Sequence, residues 1–295
     1  MLNKNIYYYC LFFLILFLTS SGLSSQNRKS YFDCPCPQII AHQGSSLELP
    51  PNTVEAFELA LNQGADIIEL DIWLTKDEEW VVVHDENLLK ITGINKNVGE
   101  LTLLEINSLD AGYGFYKNNT ERTSLIAKQY KIPSLEKIFK TFSDERINIE
   151  IKDSNLRGLV SLIDLINEYK MSDNILIVSS HYNIIKKFRK MTAYQIITAA
   201  SRSDIIGMMY WSWLPLYEHK FDAFQLPFYS KTVEKYNMNH ASWLKDKQEK
   251  QLEVHYYTLD DTTDIKQAIL IGANGIITNK PRVVYDILKN LGMHP

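Results

Sequence analysis

Apolar positions change their period several times between Ile39 and Leu291, and each change marks an element. Ile68, Leu70 and Ile72 alternate with Glu69 and Asp71, which predicts a strand with both carboxylates on one face. Thr75-Lys76-Asp77-Glu78 is a short polar turn, and Trp80–Val83 is a second strand. A link that short joins only antiparallel strands. Counting back from the turn sets His84 roughly opposite Asp71. Further on, Ile147, Ile149 and Ile151 alternate with Asn148, Glu150 and Lys152. Polar groups on the inner face of a central strand are costly without partners, so this second strand also carries a functional signal.

The rest of the chain reads as strands alternating with helices. Gln38–His42 is a short strand, and Asn52-Thr53 opens a helix over Val54–Gln63 that Gly64 stops. Pro133 leads a helix over Ser134–Phe142. Strands follow at Ile175–Ser179, Gln195–Ala199, Phe221–Leu226, Leu252–Leu259 and Gly275–Thr278. Helices lie between most of them, at Leu156–Tyr169, Asn183–Lys190, Ala241–Lys250 and Thr263–Ile271, and Arg282–Leu291 closes the chain. Tyr210, Trp211, Trp213 and Tyr217 fall in a looser aromatic stretch, and aromatics there pack between helices or receive an acyl chain. Leaving out the antiparallel return strand, eight strands alternate with helices. The expected fold class is therefore α/β, a (β/α)8 TIM barrel with an antiparallel hairpin and an insertion, 86–131, after strand two. The alternative is an open doubly wound sheet, but no glycine-rich phosphate loop follows the first strand. In such barrels the chemistry sits at the C-terminal ends of strands, where His42, Glu69, Asp71, Glu150, Lys152 and Tyr257 all fall.

Composition narrows the picture little. The chain has 295 residues and a formal net charge of −4, with no basic stripe for nucleic acid. Lys4, the apolar run Ile6–Leu18 and the small polar Thr19–Ser25 make the three-part pattern of a signal peptide. Residues 1–25 are read as that signal, 26–37 as a linker and 38–295 as the barrel domain. A secreted or periplasmic protein is expected, with an uncleaved N-terminal membrane anchor as the alternative. Cys34 and Cys36 are read as free thiols, since a disulfide between residues two apart would be strained. Asn118-Asn119-Thr120 is a glycosylation sequon, of consequence only in a eukaryote.

Glu69, Asp71 and Glu150 form a hard, all-oxygen donor set suited to Mg²⁺ or Ca²⁺. His42 and His84 approach from different elements, so one imidazole can take a proton while the other gives one. Lys152 adds a fixed positive charge. A divalent metal beside a lysine favours a substrate whose negative charge grows in the transition state, such as a phosphodiester.

His42-Gln43-Gly44, Asn52-Thr53, Glu69-Leu70-Asp71, Leu74-Thr75-Lys76-Asp77, His84-Asp85, Glu150-Ile151-Lys152 and Gly275-Ile276-Ile277-Thr278 recur here in order. With these motifs the chain resembles the glycerophosphodiester phosphodiesterases from Ile39 to about Pro281. The resemblance implies a (β/α) barrel that hydrolyses glycerophosphodiesters to glycerol 3-phosphate and an alcohol with a divalent cation. It implies metal ligands Glu69, Asp71 and Glu150, an acid/base pair His42 and His84, phosphate binding by Lys152, and an aromatic wall at Tyr257. His84–Leu88 with Thr92-Gly93, and Phe224-Gln225-Leu226-Pro227, look like the branch acting on lysophospholipids as a lysophospholipase D, which implies membrane contact through a lipid substrate. Three positions depart from the family pattern. Gln43 stands where the family usually has Arg, Pro51 where it has Glu, and Asn279 where it has Asp. Asn279 reads as a helix cap as good as Asp. Gln43 occupies a substrate-binding position but offers neither fixed charge nor a bidentate grip. A catalytically weakened phosphodiester-binding protein is therefore the competing class. The missing Arg and Glu are expected to have been partners, which requires positions 43 and 51 to be close.

Overall fold

The computed structural model describes residues 31–33, 37–117, 129–212 and 217–294. The expected signal peptide, most of the linker, both linker cysteines, the sequon and Trp213 lie outside them. Strands β1 (Gln38–His42), β2 (Ile67–Leu74), β4 (Arg146–Ile151), β5 (Ile175–Val178), β6 (Ala223–Pro227), β7 (Glu253–Tyr257) and β8 (Gly275–Thr278) pair in parallel in the order β5-β4-β2-β1-β8-β7-β6. Strand β3 (Trp80–Val82) pairs antiparallel with β2.

The sheet closes through a stretch too irregular to count as a strand. Thr198 bridges Ile177 of β5, and Ala199 bridges Ala223 of β6, both in parallel. The expected strand over Gln195–Ala199 is thus reduced to two bridges that complete the barrel. The interior is packed rather than open: Ile40, Ile67, Leu176, Ile197, Ala199, Ala223 and Ile277 form one buried cluster. Tyr31, which precedes β1, is part of that cluster and plugs the end of the barrel where strands begin. The Arg146 guanidinium donates to its carbonyl at 3.0 Å.

Helices cover the outside. They are α1 (Val54–Asn62), α2 (Leu89–Thr92), α3 (Leu103–Asn107), α4 (Tyr113–Lys117), α5 (Leu135–Thr141), α6 (Leu159–Glu168), α7 (Tyr182–Met191), α8 (Arg202–Trp211), α9 (Lys231–Lys235), α10 (Ala241–Glu249), α11 (Thr262–Leu270) and α12 (Pro281–Asn290). Helix α1 shows why the sequence folds as it does. The Thr53 hydroxyl caps it by accepting from Ala56 N, and Ala56, Phe57 and Ala60 form its buried stripe. The insertion, α2 to α4, builds a small core of its own: Leu88, Val98, Leu101 and Ile106 pack with Val81 and Val83 of the hairpin.

Three expectations need correction. The hairpin register pairs Ile72 with Val82, and Val83 N donates to Asp71 O, so Val83 and not His84 stands opposite Asp71. The turn contains Glu78 at φ 65, a left-handed residue that a count along the sequence does not register. Secondly, the aromatic stretch begins inside helix α8, which carries apolar residues on several faces and so lacks a single stripe. Its capping box, Ser201 with Asp204, was the available start signal. Thirdly, the short helix α9 follows β6 where no helix was expected.

Candidate active site

Parallel register brings the acidic residues together. In β2 and β4, Asp71 pairs with Glu150, and His42 of β1 pairs with Glu69 of β2. Side chains of one parity point inward, so Glu69, Asp71 and Glu150 converge at the C-terminal rim of the barrel. One oxygen from each lies within 4.8 Å of the other two. Oxygens around one divalent ion at about 2.0–2.6 Å fall within roughly 5 Å of each other, so the spacing fits.

The charge balance fits as well. Lys152 Nζ lies 2.9 Å from Glu150 Oε2 and 3.1 Å from Asp71 Oδ1. The approach to Asp71 Oδ1 is close but poorly aligned, leaving that buried oxygen without a proper hydrogen bond. Three carboxylates therefore face one ammonium. Burial pushes the Glu69 carboxyl well above the ordinary carboxylate range, and Asp71 and Glu150 push it further. Burial works against the Lys152 charge, but Asp71 and Glu150 outweigh it and hold the ammonium above the ordinary lysine value. A site that raises a carboxyl this way favours binding a cation there.

The remaining polar contacts fix these groups in place. Gln43 N donates to Glu69 Oε2 at 3.0 Å, and Gln43 Nε2 donates to Asp71 Oδ2 at 2.9 Å. Gln43 thus serves the carboxylates, whereas its expected place was against substrate. Asn52 Nδ2 also donates to Asp71 Oδ2, at 3.1 Å. Asn52 was expected to help open α1; Thr53 does that alone. Both Gln43 (φ 57) and Asn52 (φ 60) are left-handed, a conformation that costs energy and clusters at functional sites. Gly44 follows at φ +82, and a Cβ there would lie 2.6 Å from the Ala56 backbone, so only glycine fits. Asn52 N donates to Gln43 O at 3.0 Å, which brings positions 43 and 51 close together, the condition set by the expectation that their family residues pair.

Both histidines sit beside the acidic cluster and line the same cleft. His42 Nδ1 is 2.7 Å from Asn279 Oδ1. Asn279 Nδ2 donates to Asp260 Oδ2 at 2.6 Å, which fixes the amide with its oxygen toward His42. That oxygen accepts, so His42 carries its proton on Nδ1 and leaves Nε2 available. Asn279 is not a helix cap; Lys280 holds that position for α12. His84 is half exposed, with Nδ1 2.7 Å from Asp85 Oδ1 and Nε2 3.4 Å from Lys152 Nζ. Tyr257, on β7, lines the cleft and is part exposed; burial raises its phenol, and the negative charge of Glu150 adds to that. The residues that sequence reading missed are Asn279, Asp260 and Asn52 as partners of the site. Only a left-handed backbone or a contact across 237 residues reveals them.

The cleft is large, about 1060 Å³, and runs from His42, Glu69 and Glu150 to apolar residues of α8 and α9.

Residues 42–283 match the model of the glycerophosphoryl diester phosphodiesterase family. The chain is 31% identical over 254 residues to a glycerophosphodiester phosphodiesterase of Bacillus altitudinis, covering 83% of this chain and 95% of the relative. It is 28% identical over 299 residues to lysophospholipase D GDPD1 of Homo sapiens, covering 93% and 92%. Among solved structures, a putative glycerophosphoryl diester phosphodiesterase from Silicibacter pomeroyi superposes with a TM-score of 0.73 at 17% identity, over 91% of this chain and 99% of that one. An Oleispira antarctica phosphodiesterase, in complex with its product sn-glycerol-3-phosphate, superposes with a TM-score of 0.68 at 19% identity, over 86% and 97%. At these identities the structures establish the shared barrel. With the family model spanning most of the sequence, the chain belongs to the glycerophosphoryl diester phosphodiesterase family.

Proposed function

We propose that this protein is a divalent-metal-dependent hydrolase that cleaves glycerophosphodiesters to glycerol 3-phosphate and an alcohol. The observation that carries the reading is the convergence of Glu69, Asp71 and Glu150 beside Lys152 and two histidines in one cleft. Glu69, Asp71 and Glu150 would hold Mg²⁺ or Ca²⁺, which when bound would neutralise the acidic cluster and polarise a phosphoryl oxygen. Lys152, fixed by Asp71 and Glu150, presents its ammonium to the phosphodiester as charge grows on it. His42, kept in one tautomer by Asn279, offers Nε2 as the proton acceptor or donor on its side. His84, oriented by Asp85, does the same on the other. One ring takes the proton of the attacking water, the bond from phosphorus to the alcohol oxygen breaks, and the second ring protonates that oxygen. Tyr257 walls the glycerol end.

The name and product of the Oleispira enzyme support this product assignment. The test is direct: purified protein with Mg²⁺ or Ca²⁺ and glycerophosphocholine releases glycerol 3-phosphate and choline, and EDTA stops it. Binding without turnover under any cation would favour the weakened binding protein that Gln43 suggests.

A second reading, a lysophospholipase D, is favoured by the size of the cleft. Its volume of about 1060 Å³ reaches the top of the range for small-molecule sites, far more than a glycerol phosphodiester fills. The chain is also proposed to be exported by its N-terminal apolar run, which N-terminal sequencing of the exported protein checks.

A further inference from the structure

The cleft wall facing the carboxylates carries charge of the other sign. Round the barrel, β6 stands four steps from β2 in either direction, counting the bridged stretch at Thr198 and Ala199 as one place. Lys231 and Lys235 of α9 follow β6, and Arg202 of α8 follows the bridged stretch. All three line the cleft that holds His42, Glu69 and Glu150. Among the described residues, no Asp or Glu lines it beyond Glu69 and Glu150. The whole chain has a net charge of −4, so this wall runs against the average. Lys152, the other lining cation, is already tied to Asp71 and Glu150.

The cations on the far wall are uncommitted. Arg202 and Lys231 have no ion-pair partner among the described residues, and Lys235 lies over the ring of Tyr236, 5.2 Å from its centre. Asp204, which follows Arg202 closely in the chain, is turned away from it. Its Oδ2 accepts from Arg189 Nη1 at 3.0 Å and from Ser201 N and Oγ at 2.8 and 2.7 Å. That contact caps α8 from within, so the charge offered to the cleft is the guanidinium and not the helix end. Ser230 and Thr232 add hydroxyls beside Lys231.

We propose that this wall binds a second phosphate, carried by the alcohol half of the substrate. The proposal rests on the phosphodiesterase reading of the site: the reacting diester lies at the carboxylates and Lys152, and the alcohol crosses the cleft toward Arg202 and Lys231. A phosphate monoester carries up to two charges and three free oxygens, which matches cations arriving from two separate elements better than a carboxylate does. Arg202 supplies a planar fork and Lys231 a movable point charge. A cationic head such as choline meets the wrong sign there.

The test compares glycerophosphoinositol with its ring-phosphorylated form, which differ only in the second phosphate, and takes glycerophosphocholine as the cationic control. Wild type with Mg²⁺ should turn over the ring-phosphorylated diester with a kcat/KM higher by about tenfold or more, mainly through KM. Added salt should shrink that advantage. Arg202→Gln combined with Lys231→Gln should bring the two inositol diesters close to equal and leave glycerophosphoinositol turnover within about twofold. Arg202→Lys combined with Lys231→Arg keeps both charges and should keep most of the advantage. Inhibition by inositol bisphosphate against inositol monophosphate needs no turnover and should show the same ordering in each protein. No advantage in wild type would overturn the proposal, and so would an advantage that survives the paired Gln substitutions. An equal fall for both inositol diesters would overturn it too, by making the cations a general attractant for anions. Turnover of none of the three diesters would instead overturn the reading of the site itself.

Discussion

His42 Nδ1 lies 2.7 Å from Asn279 Oδ1, across the seam where the first and last strands of the barrel meet. The contact joins the start of the domain to its end and decides which imidazole nitrogen carries the proton. Asp260 anchors it by accepting from both the Asn279 side chain and its backbone N–H, at 2.6 and 2.8 Å. Asn279→Ala should therefore lower kcat by roughly 10- to 100-fold with KM little changed, the usual cost of losing a partner that orients a working histidine. Asn279→Asp keeps an acceptor for His42 and should retain more activity than alanine. Equal kcat for wild type and Asn279→Ala would remove the residue from catalysis.

The crowding of three carboxylates gives a prediction with two opposed signs. Glu69→Gln removes the carboxyl that burial, Asp71 and Glu150 all disfavour as an anion. Without metal, this variant should melt at a higher temperature than wild type. Its turnover should fall by at least about 10²-fold, because a charged ligand is gone. Saturating Mg²⁺ or Ca²⁺ should raise the melting temperature of wild type, and raise that of Glu69→Gln much less. Melting scans with EDTA and with each cation read both signs.

Gln43→Arg asks what the neutral amide costs. Gln43 Nε2 is bound to Asp71 Oδ2, 2.9 Å away, so an arginine there would add positive charge at the edge of the acidic cluster. A charge-assisted grip on phosphate is worth about 2–4 kcal/mol in the transition state, which is about 30- to 1,000-fold in kcat/KM. A kcat/KM no higher than wild type would mean that Lys152 already supplies what arginine would.

Much of this site is legible in the sequence alone, and the parts that are not share a cause. The alternation around Glu69 and Asp71, and again around Glu150 and Lys152, needs only a period of two to predict which face the side chains share. Strand boundaries such as Gln38–His42 and Gly275–Thr278 agree with the structure for another reason: a short apolar run bounded by polar or glycine residues is enough to mark a buried strand. The roles of Asn279 and Asn52 differ from the sequence reading, and Asp260 gives no local signal, because these roles depend on partners far along the chain or on a left-handed backbone. Local patterns encode neither. Helix α8 was missed because its apolar residues form no single stripe, and the strand over Gln195–Ala199 was overestimated because it is held by bridges alone.

His255 sets a limit on acid stability. It is fully buried on β7, with Nε2 unpartnered and the ring against Phe32, and burial lowers its pKa to about 3. In the unfolded chain it would titrate near 6.5. Its folded pKa is the lower one, so its contribution is intact above about pH 6.5 and is lost as pH falls toward 3. The loss is about 1.4 kcal/mol per pH unit. Between pH 6.5 and 5 this single side chain should account for roughly 2 kcal/mol of lost stability. Urea unfolding at both pH values should show a shallower loss for His255→Gln; parallel slopes would assign the acid sensitivity elsewhere.

Tyr31 enters the barrel at the end opposite the carboxylates, wedged among Ile40, Ile67 and Leu176. Geometry then constrains any upstream tether. A tether fixed upstream of Tyr31 would attach on the side of the barrel away from the cleft.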